Sequence, residues 1–190
     1  MEEKQKLINS LSLKNGLIIG AISVVLSLVM YFIDPLMAFT NWWVGLLLIV
    51  VFLALLVYAG QSIRKEVGGF WTFGEAFKSF LIMGLIITAI STVYSVVLMK
   101  VIDPDLPARA GAAIDENTRT MLAKFITDEE QLEKALAESG SGQSKLEITG
   151  KNLVTSIGVS LAIYGVLSLI LAAIMKKPEP VFIKLEEDEK

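Results

Sequence analysis

The chain has 190 residues, of which 54% are hydrophobic, carries a net charge of −3, and contains neither cysteine nor histidine. Those two absences exclude thiol nucleophiles, disulfides, Cys/His zinc sites and imidazole bases. A small negative charge without any basic run also argues against nucleic-acid binding. With a mean hydropathy of +0.62, the composition predicts an integral membrane protein that forms one compact bundle.

Four stretches of the chain lack Lys, Arg, Asp and Glu and are long enough to cross a bilayer. They are residues 15–33, 35–63, 79–99 and 152–175. The shortest spans about 28 Å at roughly 1.5 Å per residue, close to the roughly 30 Å hydrocarbon core of a bilayer. We therefore predict an all-α integral membrane bundle of four transmembrane helices, which forms a single domain over residues 1–190.

The first two predicted spans, about 16–33 and 42–60, form an antiparallel hairpin because their connection is short. Pro35 ends the first span, since proline cannot continue a helix. Trp42 and Trp43 lie at headgroup level as an aromatic belt. The first apolar run is longer than the core of a usual signal peptide, and no small-residue cleavage pattern follows it. We interpret it as a retained membrane anchor.

The third predicted span, about 77–100, follows a capping box. Thr72 precedes Glu75 by three residues, so the hydroxyl and the carboxylate can each accept a hydrogen bond from an unpaired N–H at the helix start. The Asp-Pro pair at Asp103 and Pro104 ends the helix. The helix is therefore predicted to begin in the interface, before the hydrocarbon.

A hydrophilic loop, 103–151, precedes the fourth predicted span, about 152–175. Apolar residues recur in the loop at helical spacing, and Thr-Asp-Glu-Glu at 127–130 repeats the capping pattern, so we predict that the loop is helical. The Ser-Gly-Ser-Gly sequence at 139–142 is typical of a flexible linker. The acidic tail, 178–190, is predicted to be disordered.

The distribution of basic residues predicts the orientation in the membrane. The first connection, 34–41, has no Lys or Arg, whereas the second carries Arg64, Lys65 and Lys78. By the positive-inside rule, both termini and the second connection are cytoplasmic. The loop 103–151 is then extracytoplasmic.

Small residues recur every three or four positions on three of the predicted spans. In a bilayer, small side chains let helices approach closely, and packing rather than apolar burial holds the bundle together. We predict that these residues form helix–helix contacts, with a polar permeation path as the alternative. The second span has Gly45 and then large aliphatic residues, so it should face lipid more than the others. The predicted packing residues are Gly16, Gly20, Ser23, Ser27, Gly84, Thr88, Ser91, Ser95, Gly158, Ala162 and Gly165.

Inside a membrane, Asp, Glu, Lys and Arg mark ion paths and proton relays, and none lies within the four uncharged stretches. Glu75 and Lys78 come nearest, the first within the cap and the second able to reach the interface. The acidic residues of the loop 103–151 match no metal-binding spacing. The sequence therefore predicts no catalytic, metal-binding or cofactor-binding residue.

Three segments of the chain carry a resemblance to a known family. They are Gly68-Gly69-Phe70-Trp71-Thr72-Phe73-Gly74-Glu75-Ala76-Phe77, Ile102-Asp103-Pro104-Asp105 and Lys176-Lys177. Over nearly its whole length the chain resembles the uncharacterised four-helix bacterial inner-membrane proteins called domain of unknown function forty-one-ninety-nine. The resemblance implies a bacterial inner membrane as the location. The family has no established activity, so no catalytic or binding residue is carried over.

We expect the protein to be a structural or interaction component of the membrane and not an enzyme. The expected partners are membrane lipids and either a second copy or another membrane protein, with no nucleic acid and no cofactor. The alternative is a small transporter or channel, oligomeric or not, whose Ser/Thr stripes would line the path. A membrane enzyme that acts on lipid is disfavoured by the lack of His, Cys and intramembrane acids.

Overall fold

The computed structural model describes residues 2–178, which form eight α-helices and no strand. The helices are α1 (Glu2–Ile33), α2 (Met37–Thr40), α3 (Trp42–Glu66), α4 (Phe73–Val97), α5 (Leu106–Leu122), α6 (Glu129–Ser139), α7 (Gly142–Leu146) and α8 (Gly150–Met175). A π-helical turn, Leu98–Ile102, continues α4. Four helices, α1, α3, α4 with this turn, and α8, are long and apolar enough to cross a membrane. The predicted all-α membrane bundle is confirmed.

Helix α1 begins well before the first predicted span and includes the polar N-terminal residues. Ile8, Ser12 and Gly16 follow one another at steps of four residues, and Leu11 lies three residues after Ile8, so all four are buried on one helix face. This face packs against α4. The residues before the first predicted span therefore lengthen the helix and pack against the start of α4.

The larger core lies at the end of the bundle where α1 begins and α8 ends. Trp71 is fully buried there, and its indole N–H donates to the Met175 carbonyl oxygen at 2.9 Å. The backbone groups of Trp71 and Lys177 exchange two hydrogen bonds, of 3.0 and 2.9 Å, which tie the α3–α4 loop to the end of α8. Beyond Pro178 the predicted disordered tail lies outside the described residues. The core consists of Leu11, Ile19, Leu56, Ala59, Ile63, Trp71, Ala76, Phe80, Met83, Ile87, Leu171, Ala172 and Met175.

A smaller cluster that includes Leu98 and Leu106 closes the opposite end of the bundle. Asp103 follows the π-helical turn at this point. Its carboxylate accepts a hydrogen bond from the Tyr31 hydroxyl at 3.0 Å and forms a salt bridge with Arg109. The aspartate that the sequence marked only as a helix stop therefore also links α1 to α5.

Residues 139–142, predicted as a flexible linker, join α6 to α7 and are anchored at Gly142, whereas Gly140 and Ser141 are exposed. Gly142 is buried at the start of α7, and its N–H donates to Asp115 Oδ1 at 2.7 Å. A Cβ on Gly142 would lie 2.5 Å from the Gly111 carbonyl oxygen, so only glycine permits this close crossing of α5 and α7. The crossing holds α7 above the gap between α4 and α8.

Candidate functional site

Hydroxyl side chains of α4 and α8 face a common cavity in the half of the bundle that is nearest α7. On each helix these residues follow one another at a spacing that places them on one face. The cavity has a volume of about 330 Å³. Its hydroxyl-bearing lining residues are Thr88, Ser91, Thr92, Ser95, Ser156, Ser160 and Tyr164.

Tyr164 closes the inner end of the cavity. Its ring lies against Gly84 of α4, where a Cβ would be 2.8 Å from Tyr164 Cγ. The same ring meets Phe52 of α3 edge to face, with the ring centroids 6.0 Å apart. Phe80 and Met83, earlier in α4, belong to the buried core. The cavity therefore ends inside the bundle and does not cross it.

Helix α7 covers the outer end of the cavity with Lys145 and Leu146. Asn152 holds this cover in place, because its amide donates to the Ser144 and Glu147 carbonyl oxygens at 2.7 and 2.8 Å. Among the described residues that line the cavity, Lys145 alone is charged. The mouth of a hydroxyl-lined space therefore carries a single positive charge.

Thr88 lines this cavity and has a buried hydroxyl without a partner. The residue is only 7% exposed, and its Oγ1 atom is buried without a hydrogen-bond partner among residues 2–178. A threonine within a helix often donates to the carbonyl oxygen one turn earlier, as Thr118 does to Ile114 at 2.7 Å. A buried polar group without a partner costs about 1–3 kcal/mol. The Thr88 hydroxyl therefore lies in the wall of the cavity without a polar partner among the described residues.

An apolar groove adjoins the cavity, between α3 and α8. It has a volume of about 740 Å³, and Ser160 and Tyr164 line both spaces. The polar cavity and the apolar groove therefore meet at these two residues. The remaining groove residues are Ile49, Phe52, Leu53, Ala162, Ile163, Val166, Leu167 and Ile170.

Gly16 and Gly20, both predicted as packing residues, lie in the contact between α1 and α4. A Cβ on Gly16 would be 3.2 Å from Met83 Cα, and one on Gly20 would be 2.5 Å from Ile90 Cδ1. Like Gly84 at the Tyr164 ring, these glycines allow another helix to approach closely.

The hydroxyl residues of the predicted stripes have different surroundings. Ser23 and Ser27 line a small recess between α1 and α3. Thr88, Ser91 and Ser95 line the cavity instead of a tight helix crossing. The stripe on α4 therefore combines one packing glycine with several cavity-lining hydroxyls.

Gly158, Ala162 and Gly165 lie away from the contact between α8 and α4. No atom of a neighbouring helix lies within 4 Å of a Cβ placed on Gly158 or Gly165, and Ala162 is exposed along the groove. The buried face of α8 carries Ser168 and Ala172 instead. Within residues 2–178 the packing contact predicted for these glycines is not made, because α8 turns a different face to α4.

Gly60 of α3 is a packing residue that the sequence reasoning missed. A Cβ there would lie 2.6 Å from Phe80 Cζ and 2.9 Å from Met175 Cε, so three helices meet at this glycine. Gly45, the glycine singled out on the same helix, has no such neighbour within 4 Å. The available signal was the position of Gly60 one turn after Leu56, on the face that α3 buries.

Thr72 and Glu75 form the predicted capping box at the start of α4. The Thr72 hydroxyl accepts from the Glu75 N–H at 3.3 Å, and Glu75 Oε2 accepts from the Thr72 N–H at 2.7 Å. The Glu75 carboxylate also pairs with the Lys4 ammonium at 3.2 Å. The cap therefore joins α1 to α4, while Lys78 is exposed.

Two acidic residues of the loop 103–151 make structural contacts. Asp103 pairs with Arg109, and Asp115 accepts from the Gly142 N–H. In the part of the chain that the structure describes, no group of three or more acidic side chains is placed to hold a metal ion.

A family model matches residues 14–177, which is most of the chain, and its description is a protein of unknown function, DUF4199. The matched range contains every residue that lines the cavity. No curated protein and no solved structure matches the chain.

Proposed function

The chain belongs to the DUF4199 family, and for this member we propose a role as an interaction component of the bacterial inner membrane that binds a polar ligand in the α4–α8 cavity. Its four apolar helices make it a multi-pass membrane protein. The partners we propose are membrane lipids and a second copy or another membrane protein, and not a nucleic acid.

The buried hydroxyl of Thr88 is the main support for a ligand. Valine has nearly the same shape as threonine and no polar atom, so a helix that only had to pack would be more stable with valine at this position. The threonine instead keeps an unpaired hydroxyl in the wall of a space that is lined by other hydroxyl residues. A polar ligand in the cavity would satisfy that hydroxyl.

The side chains around the cavity support binding over catalysis. Its lining contains hydroxyl groups and one lysine but no carboxylate, and the chain has no histidine or cysteine. A serine needs an adjacent base to become a nucleophile, and proton transfer needs a group that titrates near the working pH. We therefore propose that the protein is not an enzyme.

The proposed orientation opens the cavity to the extracytoplasmic side. Arg64, Lys65 and Lys78 flank the ends of α3 and α4 that lie opposite the cavity, whereas residues 34–41 have no basic side chain. The positive-inside rule then assigns both termini to the cytoplasm and α5 to α7 to the outside.

Native mass spectrometry of protein purified from its own membrane tests the proposal. Wild-type protein is expected to retain a bound ligand, seen as an added mass. Ser91→Leu, which fills the cavity, should lose that ligand, and Thr88→Val should retain less of it. Ser27→Leu is the matched control, because it fills the recess between α1 and α3 instead. Equal ligand content in all four proteins would contradict the proposal.

A small transporter or channel is the second candidate, and the row of hydroxyl groups along α4 is the observation that favours it. The closed inner end at Tyr164 favours binding without passage. Reconstituted vesicles separate the two functions. Solute flux that Ser91→Leu blocks would establish the transporter, whereas no flux from protein that still binds its ligand would support the interaction role.

A further inference from the structure

We infer that the ligand is an anionic lipid, with its headgroup in the hydroxyl-lined cavity near Lys145 and an acyl chain in the groove between α3 and α8. This inference rests on the proposed function and adds the class of ligand. It also explains why two spaces of opposite polarity adjoin.

The junction of the two spaces is the first argument. Ser160 and Tyr164 line both the polar cavity and the apolar groove. Tyr164 carries both an aromatic ring and a hydroxyl, a combination that suits a polar–apolar boundary. A ligand that fills both spaces must itself be polar at one end and apolar at the other.

The charge at the mouth is the second argument. Lys145 forms no salt bridge with another residue of the range 2–178, and no carboxylate lines the cavity. A lysine in the same lining as several hydroxyl donors favours an anionic, oxygen-rich group such as a phosphodiester. The unpaired Thr88 hydroxyl lies in the wall of the same space, where a rotation of its side chain would let it bind a further oxygen of the headgroup.

The order of the residues along α8 is the third argument. Counted from the outer end of α8, the cavity residues run from Leu153 to Tyr164, and the groove residues continue to Ile170. At roughly 1.5 Å per residue the cavity extends about 16 Å along the helix, close to half the hydrocarbon thickness. The headgroup would therefore lie below the outer interface, with its chain near the middle of the bilayer.

Binding of defined probes to delipidated protein in detergent tests the inference. The probes are phosphatidylglycerol, phosphatidylcholine with the same acyl chains, and glycerol phosphate without chains. Wild-type protein is expected to bind phosphatidylglycerol about fivefold more tightly than phosphatidylcholine, the effect of roughly one lysine near an anionic headgroup.

Two variants separate the headgroup from the chain. Lys145→Gln should reduce phosphatidylglycerol affinity to that of phosphatidylcholine, and Ala162→Trp, which fills the groove, should weaken both lipids. Both residues are exposed, so the fold should tolerate the changes. Lys124→Gln is the matched control, since Lys124 is an exposed lysine of the loop 103–151 and lies outside the cavity lining.

Equal affinity of wild-type protein for the two lipids would overturn the inference. So would binding of glycerol phosphate that Ala162→Trp leaves unchanged, because the ligand would then be a polar solute without a chain and the cavity proposal alone would stand. If Ser91→Leu altered the binding of no probe and of no native ligand, the proposed function itself would fail.

Discussion

The hydroxyl oxygens of Ser12 and Ser79 lie 2.6 Å apart, and both residues are fully buried between α1 and α4. Ser12 Oγ is also 2.6 Å from the Ile8 carbonyl oxygen and donates its single proton there. Ser79 must therefore be the donor in the bond between the two serines. The two serines therefore differ in the hydrogen bond that remains when the other serine is removed.

Ser12→Ala should destabilise the bundle more than Ser79→Ala. Loss of Ser12 leaves the Ser79 hydroxyl buried without its acceptor, at a cost of about 1–3 kcal/mol. Loss of Ser79 leaves Ser12 bonded to Ile8, and the cost should approach the roughly 0.6 kcal/mol of an average interhelical bond in a membrane. Reversible unfolding in mixed micelles measures both values, and the reverse order would refute the donor assignment.

Gly84→Ile should weaken the bundle by about 1–3 kcal/mol, because the added side chain overlaps the Tyr164 ring. Gly20→Ile should act in the same direction at Ile90. Gly45→Ile is the matched control, since a Cβ there meets no neighbour within 4 Å. Thermal stability in detergent gives the comparison. Three equal melting temperatures would show that the assigned contacts contribute nothing.

Thr72→Ala should destabilise the start of α4 by about 0.5–2 kcal/mol, because the Glu75 N–H loses its hydroxyl acceptor. Faster hydrogen exchange is expected at the amide of Glu75. Thr155→Ala replaces an exposed threonine within α8 and serves as the control. Unchanged exchange and stability in Thr72→Ala would remove the energetic role of the cap.

A single cysteine can report the orientation without background, because the chain has none of its own. Ser141→Cys at the start of α7 should react with a membrane-impermeant thiol reagent in intact spheroplasts. Glu66→Cys, at the exposed end of α3, should react only after the membrane is permeabilised. The opposite pattern would invert the proposed topology.

Glu75 should not act as a proton relay, because its carboxylate is held by the Thr72 N–H and by Lys4 at the start of α4. Proton-coupled carriers generally need a titratable group at depth in the membrane. Vesicles that contain the protein should keep an imposed pH gradient. A leak of protons that Glu75→Gln abolishes would contradict this expectation.

The sequence determined the spans and the cap because both depend on local patterns. Thr72 and Glu75 are three residues apart and exchange side-chain to backbone hydrogen bonds, and each apolar stretch can be recognised without knowing which helices it contacts. The part of α1 before Lys14 was not predicted as helix, because polar residues surround the three that are buried, Ile8, Leu11 and Ser12. That face is recognisable only once α4 lies against it.

The cavity could not be predicted for a related reason. Thr88, Ser91 and Ser95 have the spacing of a packing stripe, and so do Gly158 and Gly165 on α8. Spacing identifies a face but not what the face meets. The rotation of α8, which presents Tyr164 to Gly84, decides that the hydroxyls of α4 face a space and not another helix.

The backbone bridge between Trp71 and Lys177 links the end of α8 mechanically to the start of α4. Two backbone hydrogen bonds and the bond from the Trp71 indole to Met175 join the exit of the chain to the loop that starts α4. A force applied to the chain after Pro178 is therefore shared between α8 and α4, the two walls of the cavity. Tension at this end of the bundle would thus act on the same two helices that enclose Thr88.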